Sequence, residues 1–421
     1  MTNNNEEQLP HVVISGGGPG GLLASILLND IGIQSTVLER TSEPDQWSSK
    51  SYTIVLGDTG KSTLDKGGCL DSALQTGIER KFVYFFDGKT GDMKAIPKKS
   101  SGIGFTRPLL VECLEAQAST KPNVTLTKGV GVDKVTTTTN NNDDGPGLLC
   151  VHMEDGTTLS ATHVIGADGK WSKVRQSFPK LDSQATIVTC PSFGIHIDCP
   201  TVPSGWATNG TYIVKPADEC KFYVIASPRP TGGLSISIVC YDETVEKYPW
   251  IAPPEDMTVE EYGKGGWEDE YSAMPGTMKV DETLSTRLET LFREELPALH
   301  EVLDKESFQS ARVNRRVSWL KMTPSEEGKK VSFSTEDGRV TLVGDAAHAM
   351  TPSMGEGCNT AMESAVKLVE CVSAIMKEKG ETQCSVSTLS EAFIQYGLER
   401  PADTMPVQEM SAARNVLVQK N

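Results

Sequence analysis

His11-Val12-Val13-Ile14-Ser15-Gly16-Gly17-Gly18-Pro19-Gly20-Gly21 is an apolar run that breaks directly into a glycine-rich turn. The first five residues read as a buried strand, and Leu22, Leu23, Ile26 and Leu27 repeat at the spacing of a helix face that closes near Gly32. A second strand follows over 34–39 and ends in Glu39. Strand, helix and strand in that order open a parallel sheet. Gly16, Gly18 and Gly21 satisfy the dinucleotide-binding spacing, in which glycine tightens the turn, admits a pyrophosphate and lets helix pack on strand. The helix N-terminus offers unpaired N–H groups and a partial positive charge to phosphate. Glu39 stands where an acid accepts ribose hydroxyls, and an acid there favours an adenosine ribose without a 2′-phosphate.

Two further strands deliver an acid at their carboxyl ends. Val164-Ile165-Gly166-Ala167-Asp168-Gly169 leads into a helix holding Ser172 and Arg175. Val340-Thr341-Leu342-Val343-Gly344-Asp345-Ala346-Ala347-His348 is followed by Pro352 and by Gly355-Glu356-Gly357-Cys358-Asn359. Asp345 is placed to hold polyol hydroxyls, and the glycines open the next helix so that its N–H groups face a ligand. A flavin needs both: hydroxyl acceptors for its ribityl chain and positive potential at its pyrimidine carbonyl. His348 has no nucleophile or carboxylate at a telling spacing and reads as a packed or capping histidine.

The chain has 421 residues, 38% of them hydrophobic and 23% charged, which suits two or three packed lobes and excludes collagen-like and wholly disordered classes. Its formal charge of −16 disfavours nucleic acid and anionic bilayers as partners. Ten cysteines without a CxxC pair suggest neither zinc nor a disulfide framework, and a reducing cytoplasm is the expected location. The uncharged stretch from His11 to Leu28 could pass for a signal sequence, but its acidic flank and its glycines argue otherwise, and elsewhere no uncharged apolar run approaches the roughly 18 residues of a membrane span, so no integral membrane segment is expected.

Short strands are expected over 82–86 and 93–96, a helix after Thr106 with Pro108 in its first turn, and strands over 193–197, 211–214, 222–226 and 234–239. Such a run of strands inside an α/β chain suggests an inserted antiparallel lobe. The last 40 residues have a helical pattern interrupted at Arg400-Pro401.

Together the three glycine–acid segments resemble those of the single-component FAD-dependent aromatic monooxygenases of the hydroxybenzoate hydroxylase type, with the nearest likeness to the kynurenine 3-monooxygenase branch. That branch is matched in the glycine loop, in 67–78, in Ala95-Ile96-Pro97, in Arg107 at the start of a helix, and in the segment around Asp345. The resemblance implies a Rossmann-like FAD-binding domain over 1–75, 100–180 and 310–378. It implies an inserted, mainly antiparallel substrate domain over 76–99 and 181–309, and a helical C-terminus over 379–421. FAD contacts then fall on Gly16, Gly18, Gly20, Gly21, Glu39, Arg40, Val55, Arg107, Val132, Asp168, Asp345, Gly357, Cys358 and Asn359. Arg107 and Lys50 are the implied catalytic groups beside the flavin, and Lys98 the implied substrate contact. The implied reaction hydroxylates an aromatic or otherwise electron-rich small molecule through a flavin hydroperoxide, with NADPH as cosubstrate and dioxygen consumed. Where the kynurenine enzymes place polar substrate contacts, this chain has Val83, Lys98 and Ala413, so a substrate other than kynurenine is expected. A flavin reductase or dehydrogenase of the same fold, or a non-enzymatic member, are the alternative readings. The sequence leaves oligomeric state open.

Overall fold

In a computed structural model, the chain is described over residues 9–42, 53–138, 148–216, 222–252, 277–279, 282–326 and 328–420. The opening run forms β1 (His11–Ser15), whose Val12, Val13 and Ile14 are wholly buried. β1 lies at the centre of a five-stranded parallel sheet with β2 (Gln34–Glu39), β6 (Val124–Lys128), β10 (His163–Gly166) and β17 (Val340–Leu342), in the order β17-β10-β1-β2-β6. Strands this apolar on both faces must be covered twice. α1 (Pro19–Asp30) packs on α5 (Gly357–Lys379) over one side, and α3 (Arg107–Ala118) joins them. Counting helices in the order used here, α2 (Asp58–Lys66) lies beside α5, and α4 (Glu282–Glu295) belongs to the second lobe.

The second sheet has nine strands. Its order is β15 (Thr277–Lys279), β16 (Arg312–Met322), β11 (Ala185–Cys199), β14 (Leu234–Tyr241), β13 (Phe222–Pro228), β12 (Gly210–Lys215), β4 (Ile78–Asp87), β5 (Met93–Thr106) and β3 (Thr53–Leu56). All neighbours are antiparallel except β12 and β4, which pair in parallel. The sheet therefore takes in β3, the end of β5 and β16, from segments that the sequence grouped with the cofactor domain. One face carries its own core, in which Trp206 stacks on Tyr212 at 4.0 Å between ring centroids and Leu288, Leu291 and Phe292 of α4 close over it. A small antiparallel meander of β7 (Val132–Thr137), β8 (Leu149–Met153) and β9 (Thr158–Ala161) completes the strands.

The interruption expected at Arg400-Pro401 is absent. α6 (Val386–Lys420) runs through Pro401 and Pro406. A proline leaves the carbonyl four residues earlier without its helical donor. Here that carbonyl, on Gly397, accepts the Phe333 N–H at 2.9 Å, so the unpaired group is satisfied from outside the helix. The buried Arg400 guanidinium adds ion pairs to Glu363 at 2.7 Å and Asp403 at 3.0 Å, holding the helix on α5 across the proline.

Candidate active site

The glycine loop divides into positions that packing demands and one that it leaves open. Gly16 has φ +106°, and a Cβ on it would stand 2.4 Å from the Ala167 carbonyl oxygen. A Cβ on Gly21 would stand 2.1 Å from the Gly16 oxygen. Both glycines exist so that β1, β10 and α1 approach each other. Gly20 packs against Ala361 of α5. Gly18 is different: a Cβ there would meet only the Arg107 Nη2, at 3.9 Å. Its missing side chain leaves a recess beside a guanidinium, at the N-terminus of α1, where a pyrophosphate fits.

Glu39 is buried, and both carboxylate oxygens are engaged: Oε2 accepts the Gly17 N–H at 2.7 Å and Oε1 the Thr41 N–H at 2.8 Å. The acid is thereby fixed before any ribose reaches it, and carboxylate oxygens keep further lone pairs for hydroxyls. Arg40 turns away to Glu154, 2.6 Å distant, as an ion pair with the meander. Val132 is buried at the start of β7. Asp168 caps the short helix Lys173–Gln176, its Oδ2 accepting N–H groups of Lys173 and Val174 at 2.8 and 3.1 Å. Its buried Oδ1 has no partner among the described residues. An orphaned carboxylate oxygen is costly, and a ligand hydroxyl would relieve it.

Arg107 begins α3 and reaches back across the cleft. Besides Gly18, its charge acts on Asp345 and Cys358. Asp345 is exposed at its surface, yet burial pushes its pKa up, opposed by Arg107 and Lys170. The two facts agree for a side chain on the wall of a deep cleft, open on one side and walled by protein elsewhere. Burial also pushes the Cys358 thiol up to about 12. Asn359 serves as a tie: its Oδ1 accepts the Gly57 N–H at 3.1 Å and its Nδ2 donates to the Val55 carbonyl at 3.3 Å. Val55 therefore reaches the site through its backbone. Gly357 opens α5, and a Cβ there would meet nothing nearer than Met350 at 3.8 Å.

Four separate segments thus converge, and the unpartnered Asp168 oxygen, the open Gly18 recess and the accessible Asp345 fit a flavin dinucleotide. Lys50 lies outside the described residues. Lys98 is exposed on β5 and acts electrostatically on Glu356 at the mouth of α5. Arg229 is engaged with Asp198 at 2.9 Å.

Other contributors are not visible in the sequence. Gln408 of α6 donates to the carbonyls of Leu320 at 2.7 Å and Ala349 at 3.1 Å, and Ser411 accepts from Thr351 and Ser353. These bonds fix the loop between Asp345 and Gly355. Arg175 ties the second motif to the third by donating to the Ala346 carbonyl at 2.9 Å. Arg80 is wholly buried with no carboxylate partner among the described residues, donating instead to the carbonyls of Thr208, Gly210 and Pro228.

His348 bonds Ser364 at 2.8 Å, and burial beside Arg400 lowers its pKa to about 3. It is a neutral packing group. A base depressed in the fold stabilises fully above its ordinary value near 6.5 and loses that contribution as pH falls toward the folded value. His348→Gln is therefore expected to flatten the fall in stability between pH 6 and 4 by about 1.4 kcal/mol per pH unit, read by urea unfolding across that range. An unchanged slope would show that His348 does not titrate with unfolding.

Residues 10–387 match a protein family described as FAD binding domain. The chain is 24% identical over 416 residues to a kynurenine 3-monooxygenase of Dictyostelium discoideum, covering 95% of this chain and 78% of that one. It is 26% identical over 374 residues to an FAD-dependent urate hydroxylase of Mycolicibacterium vanbaalenii, covering 85% and 78%. Among solved structures, the tetrameric form of 2-methyl-3-hydroxypyridine-5-carboxylic acid oxygenase superposes with a TM-score of 0.65 at 20% identity, covering 98% and 94%. A Klebsiella pneumoniae HpxO variant complexed with FAD gives 0.67 at 18%, covering 97% and 90%.

Proposed function

Since the chain belongs to the FAD binding domain family and is an FAD-dependent monooxygenase, we propose that it uses NADPH and dioxygen to hydroxylate an aromatic or similarly electron-rich small molecule. The observation that carries the reading is the convergence of Gly18, Arg107, Asp345 and Cys358 on one cleft. When bound, FAD supplies the activation of dioxygen, which no side chain can provide. The protein holds and orients. Gly18 and the α1 terminus would receive the pyrophosphate, Glu39 the adenosine ribose and Asp345 the ribityl hydroxyls. Arg107 would set positive potential against the ring system.

No described helix is long and apolar enough to cross a membrane. The described cysteines are free thiols, which supports a cytoplasmic location. The test is turnover of the FAD-loaded protein in labelled dioxygen. Label in the organic product, matched to NADPH consumed, supports the proposal; peroxide alone from every compound tried would favour the reductase reading.

L-Kynurenine is expected not to be the best substrate. Val83 is a half-buried apolar side chain, and Lys98 and Ala413 are exposed, so none provides an enclosed polar partner for an amino-acid head group. An unpaired carboxylate in a closed site is strongly disfavoured. In a panel of phenols, anthranilates and kynurenines, kynurenine with the highest kcat/KM and stoichiometric hydroxylation would overturn this.

A further inference from the structure

Three segments meet beside the Asp345 carboxylate. β10 and β17 run side by side in register, with Gly166 opposite Leu342 and the Val343 N–H donating to the Gly166 carbonyl at 2.9 Å. The segment Asp168-Gly169-Lys170 therefore leaves its strand next to Gly344-Asp345. Arg175, in the short helix that follows, locks this placement through the Ala346 carbonyl at 2.9 Å. β16 closes the third side, because its Leu320 N–H donates to the Ala349 carbonyl at 2.9 Å.

Lys170 stands where these segments meet. It is half-buried, and its Nζ donates to the Ser318 Oγ at 2.6 Å and to the Ser318 carbonyl at 3.3 Å, both on β16. The Trp171 ring lies 5.6 Å from the same nitrogen. An ammonium carries three donors. Ser318 takes two, and no described residue takes the third. The titratable groups close enough to act on this charge are Asp345 and the buried Cys190. A lysine tethered twice at its tip has given up the rotamer freedom that a solvated one keeps. Burial lowers its pKa, and Asp345 and Cys190 oppose that shift.

Asp345 meets the complementary cost. Burial raises its pKa, and Arg107 and Lys170 oppose the rise; Cys358 is its other titratable neighbour. Arg107 acts from the start of α3, beside the Gly18 recess, and Lys170 from its seat on β16. We propose that Lys170 is a positioning residue for the cofactor: seated on Ser318, it keeps the Asp345 carboxylate charged, in the form that takes the ribityl hydroxyls. This rests on the assignment of Asp345 to the flavin above. Only the ionised carboxylate offers acceptors on both oxygens, and its hydrogen bonds are the stronger for their charge.

The test is titration of the full chain, stripped of flavin, with FAD between pH 5 and pH 8, followed by quenching of flavin fluorescence. Lys170→Met is expected to weaken FAD binding about 10-fold at pH 7. Wild-type affinity is expected to fall as Asp345 takes up a proton, and without Lys170 the midpoint of that fall moves up by about one pH unit. Lys170→Arg, which keeps the charge, is expected to return the midpoint toward that of the wild type. Should Lys170→Met fail to fold, Ser318→Ala keeps the charge and removes its seat. It is expected to weaken FAD binding about 3-fold and to move the midpoint the same way. In an Asp345→Ala background, Lys170→Met is expected to cost nothing further. A loss undiminished in that background means that Lys170 touches FAD itself and overturns the positioning role, as does a wild-type midpoint in Lys170→Met. Wild-type affinity in Asp345→Ala overturns the flavin assignment and the role of Lys170 together. Loss in Asp345→Ala with none in Lys170→Met overturns the role of Lys170 alone.

Discussion

Arg107→Ala is expected to slow reduction of bound FAD by NADPH roughly 100-fold to 1,000-fold, the range for a preorganised charge aimed at developing charge. The guanidinium starts at the first residue of α3, held by Pro108 in the same turn, and stands between the Gly18 recess and Asp345. Its placement costs nothing at the moment of reaction, because the helix start fixes it beforehand. A surface arginine would change stability by less than about 0.5 kcal/mol and leave the rate alone. Stopped-flow reduction of the FAD-saturated variant distinguishes the cases. Arg107→Lys is expected to recover part of the rate, since a point charge replaces a planar one. A wild-type rate in the alanine variant would return Arg107 to the surface class.

Asp345→Ala is expected to weaken FAD retention by roughly 10-fold to 150-fold, the equivalent of about 1.5–3 kcal/mol for a charge-assisted hydrogen bond. The apoprotein is expected to move the other way. Burial raises the pKa of Asp345, so its ionised form is disfavoured in the fold. An acid whose folded pKa is raised stabilises at low pH, and that contribution is lost as pH rises through the folded value. At pH 7 the variant apoprotein is therefore expected to melt no lower than wild type, while flavin is lost on dialysis. A variant that melts lower and keeps its flavin would make Asp345 a packing residue.

The parts of this arrangement that were legible share one property: their chemistry is local. Gly16 and Gly21 sit where strand and helix meet within a few residues, and the steric demand that selects glycine there is written in the adjoining segment. Glu39 ends a strand whose length and pattern are visible in one window. The strands expected over 193–197, 211–214, 222–226 and 234–239 are each bounded by Pro, Gly or Asp, and that is enough to announce a second sheet. What was illegible depends on partners far along the chain. The proline in α6 reads as a break because its rescuing donor, Phe333, is distant in sequence. Gln408 gives no motif; its role exists only because Leu320 and Ala349 present carbonyls to it. Arg80 lies just before the strand expected over 82–86, and nothing local says that three carbonyls rather than a carboxylate will receive it. The open face of the large sheet is a middle case. Its alternation is readable, but which of the two faces becomes core is decided by which one α4 covers.

The double attachment of the nine-stranded sheet bears on motion. A lobe joined along one edge can swing like a jaw, and such hinge movements run over microseconds to milliseconds. A span tied by Asn359 to its edge strand β3 and by Ala349 to β16, one strand in from the opposite edge, is held near both ends. Exchange of small molecules with the cleft then falls to loop-scale rearrangements, which are faster and leave the outline of the molecule unchanged. Solution scattering of the FAD-loaded protein should accordingly superimpose with and without a bound aromatic, and any slow phase in turnover should respond to changes in loops rather than to changes in the strands of the span.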